Sequence, residues 1–329
     1  MFNSDYGLKT LGARLEIPQL TCAETDAAIQ RQVTDAAERE NFLAFAHRYS
    51  LDRKMEEPER CYYPHLSTYR DLQVVQRLAR NMGYDKAASA LKDFQPGRSQ
   101  VYFYFATAQL IKDLQGVAVL PAVALDIVER MVAAHRPDKG QRNLKFTLQS
   151  CVDVAGLEPA AAQGVCERLL QSSLFASLGE GTWHFDNQSL GDLFLGRWAA
   201  SSLVVNQKVD CSQMEQRSAL LESSEVAGFL VGQSAGQACF AEVAQAMCRK
   251  AGYAQNVFEQ LDQGLPTGPQ RTAILAAAEK KLATLPPDPC ASTLLDRLNK
   301  ADDGVEPVAA TPEPAPPPPP APHKHGKKP

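Results

Sequence analysis

The sequence predicts a mainly α-helical protein with a winged helix at its centre. Three observations carry that expectation. Apolar residues recur at spacings of three and four along most of the chain. Residues 174–185 switch to a strand-like period around the turn Gly179-Glu180-Gly181. Prolines crowd into the C-terminal stretch, where a packed core has nothing to build on.

Residues 1–20 read as a loose arm ending near Pro18. Thr21 to about Ser50 carries one helical stripe, with Ala28, Ile29, Val33, Ala36, Ala37, Phe42, Phe45 and Ala46 inward. Asp52 to Glu59 is charged and reads as a loop. Thr68 opens an amphipathic helix with Leu72, Val75, Leu78, Ala79 and Met82 inward, and Gly83 stops it. Asp85 to Phe94 reads as a shorter helix. Val101 to Phe105 fits either a strand or the first turns of a buried helix. Pro121 starts a helix through Ala134.

The central segment runs from Leu144 to Trp198. Phe146, Leu148, Val152 and Ala155 mark a short helix that Gly156 ends. Glu158-Pro159 opens a second helix with Val165, Leu169, Leu170 and Leu174 inward. Leu174–Leu178 and Thr182–Phe185 form a hairpin across the glycine turn. Asn187 or Ser189 caps a third helix, with Leu190, Leu193, Phe194 and Trp198 as its inner face.

Helix, turn, helix, hairpin and helix together resemble a winged-helix domain. The hairpin's return carries Phe185, Asn187, Ser189, Asp192, Leu193, Phe194 and Leu195. That run resembles F-x-H-x-S-x-x-[DE]-[FY]-L-A-A, which follows the wing in STAND and NACHT-like signalling NTPases. The family's histidine is replaced by Asn187, and its first small residue by Leu195. The resemblance implies a fold, not an activity. ATP hydrolysis needs a phosphate loop ending in Lys and Ser or Thr. Gly232–Gln237 has the wrong spacing and no lysine, so it reads as a tight small-residue helix contact.

After Trp198 the chain reads as successive helices: Met214–Leu230, Gln233–Gly252, Ala254–Leu261, Pro269–Leu285 and Ala291–Asn299. The expected organisation is a helical N-terminal region (1–98), a winged-helix domain with its preceding helices (99–205), a helical C-terminal region (206–302) and a disordered proline-rich tail (303–329). The tail reads as a spacer or a docking peptide.

With 44% hydrophobic and 22% charged residues, the composition is that of a soluble globular protein. A net charge of −4 gives no global pull toward nucleic acid or anionic lipid. Val101–Leu120 carries Lys112 and Asp113, so membrane insertion is not expected. The N-terminus lacks a basic, then apolar, leader pattern. The eight cysteines therefore read as reduced, partly buried thiols, and the setting as cytoplasmic.

Candidate chemistry is sparse. Arg136, Lys139, Arg142 and Lys145 form a basic cluster beside the central segment, and Arg168 lies on its second helix. These are the candidate phosphate or nucleic-acid contacts. Glu158 and Glu167 oppose them, so duplex DNA is the weaker reading. Cys61 and His65 have a zinc-like spacing without a second pair, and His323 and His325 lie in the tail, so no metal or other cofactor is expected. His47 reads as a satisfied, partly buried side chain. No Ser, Cys and His arrangement forms a catalytic signature. The leading expectation is a non-enzymatic adaptor or assembly component of a larger cytoplasmic complex, with other protein subunits as its partners. A winged-helix DNA-binding regulator is the alternative, and an enzyme with a dispersed site the third.

Overall fold

A computed structural model describes residues 20–303, except 50–52, 55–60, 64–65, 67, 85, 88–96, 118, 136–142, 252–254 and 267. The N-terminal arm, most of the short helix read at Asp85–Phe94 and the proline-rich tail from residue 304 lie outside the described residues.

The fold is mainly helical. α1 (Cys22–Gln32) begins in a capping box between Thr21 and Glu24. α2 (Ala36–Tyr49) follows after a break, so the helical periodicity expected over 21–50 is carried by two helices. Asp35 is the reason: its carboxylate accepts the Glu38 amide at 2.7 Å and starts a new helix. Ala36 and Ala37 are exposed, not inward. A two-residue pair, β1 (Arg53–Lys54) and β2 (Cys61–Tyr62), leads to α3 (Tyr69–Met82). Thr68 caps α3, and Gly83 ends it at φ +83°, a conformation that costs any other residue. Its stripe is buried except for Met82, which points outward.

α4 (Arg98–Asp113) resolves the aromatic run as helix, burying Val101, Tyr102 and Phe105. α5 (Pro121–Ala134) starts on proline as expected and buries Ile127, Val128 and Met131.

In the central segment, Phe146 does not belong to a helix. β3 (Phe146–Thr147) pairs with the hairpin, and Thr147 then caps α6 (Leu148–Ala155). Gly156 follows at φ +66°. α7 (Pro159–Leu170) leads to β4 (Phe175–Gly179) and β5 (Thr182–Phe185). The three strands form an antiparallel sheet in the order β3-β5-β4. Asn187, rather than Ser189, caps α8 (Gln188–Ser202) by accepting the Ser189 amide. Phe185 packs on Phe146, Phe175 and Phe194 with ring centroids 5.4, 5.1 and 5.5 Å away.

Beyond α8 the chain is less continuous than its periodicity suggests. An exposed hairpin, β6 (Val204–Val205) and β7 (Lys208–Val209), interrupts the helices, with Asn206 and Gln207 turning at positive φ. The expected helix over 214–230 is α9 (Met214–Arg217), a 3₁₀ turn and α10 (Ser224–Val231). The next divides into α11 (Ser234–Ala238) and α12 (Phe240–Ala251). α13 (Gln255–Gly264), α14 (Pro269–Leu282) and α15 (Pro289–Asp303) complete the chain.

α10 is the hub: it packs on α4, α8 and α13. Glycines allow that closeness. A Cβ at Gly232 would lie 2.3 Å from the Ser99 Cβ, and one at Gly228 would lie 2.6 Å from the Gln260 carbonyl. The small-residue reading of the Gly232 stretch therefore holds.

The cysteines overturn the expectation of reduced thiols. All eight are paired: Cys22–Cys61, Cys151–Cys166, Cys211–Cys239 and Cys248–Cys290. Apolar surroundings identify a buried sulfur but not its neighbour, because each partner comes from another element. Among the described residues, no helix is long and apolar enough to cross a membrane.

Candidate functional site

The densest chemistry lies where α3, α4, α8, α10 and α13 converge. Arg98, at the start of α4, is 3% exposed. Its Nε donates to Asp71 Oδ1 at 3.0 Å, Nη1 to Gln260 Oε1 at 2.8 Å and Nη2 to Glu225 Oε1 at 3.2 Å. The Tyr102 hydroxyl donates to the same Asp71 oxygen at 2.7 Å. The guanidinium also lies 5.1 and 5.0 Å from the Tyr102 and Phe229 ring centroids. From the solvent side, Arg70 Nη1 donates to Ser189 Oγ at 2.6 Å, and that hydroxyl donates on to Glu225 at 3.3 Å.

The electrostatics follow from burial against pairing. Burial alone would lower the Arg98 pKa, but the charges of Asp71 and Glu225 hold it well above its ordinary value. Burial opposes ionisation of Glu225 as well. The Arg98 charge, a hydrogen bond with Asp192 and the Arg70 charge outweigh it and bring that carboxyl down to about 2. Burial, reinforced by Asp71, pushes the Tyr102 phenol well above its usual range. The cluster is thus a fixed set of ionised and neutral groups at neutral pH. It ties five helices together rather than presenting a reactive group to solvent.

Sequence reading missed Arg98, Asp71, Glu225 and Gln260. One signal was present. Asp71 sits on the same stripe as Val74, Val75 and Leu78, and Arg98 on that of Val101, Tyr102 and Phe105. A charge on an apolar stripe needs a partner from another element. A cation in a helix's first turn also opposes the helix dipole, which points the same way. Ser189 and Asp192, which follow the β4–β5 hairpin, are both buried in this cluster.

Of the candidate phosphate contacts, Arg136, Lys139 and Arg142 lie outside the described residues. Lys145 and Arg168 are both exposed. Neither makes a hydrogen bond or ion pair among the described residues, and none links the two. The solvent face of α7 is Ala160, Ala161, Gln163, Gly164, Glu167 and Arg168. Gln163 donates to Glu167 at 3.0 Å. Leu157 at the head of α7 is 37% exposed, and Leu178 by the wing turn is 51% exposed.

The remaining candidates disperse. Cys61 is consumed by its bond to Cys22, and His65 lies outside the described residues. His47 is exposed, not partly buried; its Nε2 lies 3.0 Å from Asp26 Oδ1. A groove of about 260 Å³ between α12 and α14 is lined by Phe240, Ile274, several alanines and, at its rim, Lys281. No family model, curated protein or solved structure matches the chain.

Proposed function

We propose that this chain is a non-enzymatic adaptor, and that its central segment is a winged helix used to bind another protein. The supporting observation is the surface of α7. Its outward residues are small or neutral, Glu167 offsets Arg168, Leu157 at its head is exposed, and the hairpin that follows exposes Leu178. A surface that grips phosphates offers several cations. A small, weakly charged face with apolar anchors suits the core of a protein interface. The clustered charges add support, because Arg98 and Arg70 offset Asp71 and Glu225 within the fold. The partner is then a folded subunit or helix presenting a complementary apolar patch.

The test is affinity capture with the full chain and with Leu178→Asp combined with Ala161→Arg. Both positions are exposed, so thermal stability should stay unchanged while a stoichiometric partner is lost. Equal partner recovery by the wild type and the variant would end this reading.

A DNA-binding regulator is the second reading, favoured by the uncommitted side chains of Lys145 and Arg168. It requires duplex binding that weakens steeply with salt. A mobility shift at two salt concentrations decides it, and no shift even at low salt removes it.

A further inference from the structure

We propose that this chain is oxidised in chain order, each cysteine joining the next to emerge, on entering a thiol-oxidising compartment outside the cytosol. This rests on the cysteines alone and stands or falls apart from the adaptor reading.

Three observations converge. The pairing is complete, with four bonds and no free cysteine. Thiols used only to fill core volume have no reason to meet two by two with none left over. The paired Cα atoms are 5.6, 5.8, 5.3 and 5.9 Å apart, inside the window a disulfide needs without backbone movement. A cytosol kept reduced by thiol systems does not maintain such a set.

The second observation is the order. Eight cysteines allow about 105 full pairings. The one present joins first to second, third to fourth, fifth to sixth and seventh to eighth, across separations of 39, 15, 28 and 42 residues. No loop encloses or crosses another. A chain that emerges N-terminus first reaches this pattern by joining each cysteine to the last one still unpaired.

The third is access. Cys151 and Cys166 are both 0% exposed in the folded chain. A protein oxidant cannot reach them after α6 and α7 close, so their bond forms before or during folding.

The chemistry balances with a dithiol oxidase as the electron acceptor. One cysteine thiolate attacks the oxidase disulfide and forms a mixed disulfide, releasing one oxidase thiol. The partner thiolate then attacks the mixed disulfide, closing the protein's S–S bond and releasing the second oxidase thiol. Each bond passes two electrons to the oxidase, so four oxidase disulfides are reduced per chain. Because the first available partner is the native one, no isomerase step is needed.

The test begins in the native cell. Thiols are trapped with an alkylating reagent before lysis, the cell is fractionated, and the full chain is peptide-mapped without reduction. Four linked peptide pairs, no alkylated cysteine and recovery outside the cytosol are expected. Alkylated thiols at all eight positions, or recovery from the cytosol, would overturn the compartment. The order is tested by exporting the chain in hosts lacking either the oxidase or the disulfide isomerase. The oxidised form should be lost only without the oxidase. Cys151→Ser, exported without isomerase, should shift the register and yield Cys166–Cys211 and Cys239–Cys248 peptides. Native Cys211–Cys239 and Cys248–Cys290 pairs surviving there would overturn chain-order pairing. The readout is the peptide map, so it holds whether or not the variant folds.

Discussion

Among the described residues two arginines are buried, and they are held differently. Arg271 in α14 is fully buried against Asp262, nine residues away, with Nη2 at 2.6 Å from Oδ1 and 3.0 Å from the Leu298 carbonyl. Arg98 reaches Asp71, Glu225 and Gln260, which lie 27, 127 and 162 residues away. The first arginine staples neighbouring C-terminal helices. The second joins the N-terminal and C-terminal parts of the chain at one point, and Ser189 of the central segment reaches it through Glu225. A buried ion pair is weak evidence for net stability, but removing one partner strands the other's charge. The number of stranded partners therefore separates the two sites.

The largest expected effect is at Arg98. Arg98→Met leaves Asp71 and Glu225 without their cation and should cost about 3–5 kcal/mol in chemical denaturation. An unchanged midpoint would show that the five-helix junction does not hold the fold. Acid comes next. The folded-state pKa of Glu225 is depressed, so its contribution is present above about pH 4.5 and is lost as pH falls toward about 2. That loss should be on the order of 3 kcal/mol. Glu225→Gln should flatten the stability profile across that window; a slope equal to wild type would place the acid sensitivity elsewhere.

Ser189→Ala removes the hydroxyl between Arg70 and Glu225 and should cost about 1 kcal/mol. Its thermal midpoint, compared with wild type, reads that hydroxyl directly. The smallest effect sharpens the contrast most. Arg271→Met combined with Asp262→Leu removes both ends of the local pair and should change stability by about 1 kcal/mol or less, in either direction. No single compensating change should rescue Arg98→Met in the same way. If Asp71→Leu alone does so, the two sites are of one kind.

Legibility in the sequence followed the range of the interactions involved. α3, α5 and α7 were readable because Thr68, Pro121 and Pro159 start them and their stripes are local. The β4–β5 hairpin was readable because Gly179 and Gly181, both at positive φ, force a turn between two short runs. The break at Asp35 was missed because Ala36 and Ala37, exposed at the head of α2, read as part of the apolar pattern across it. The β3 strand was missed because Phe146 needs β5 to be a strand at all. Disulfide partners and the Arg98 junction come from different elements, and a period within one helix carries no information about them. At the site itself, the sequence pointed to none of the residues; Ser189 was read as a possible helix cap, and its burial beside Glu225 depends on α10.

Gly228 rests on Gln260, the residue that completes the Arg98 fork. Main chain meets main chain there, with no rotamer to absorb a shift. The α10–α13 pair is in that sense a strut without play. A Cβ added at Gly228 therefore displaces the residue whose side-chain amide meets the Arg98 guanidinium.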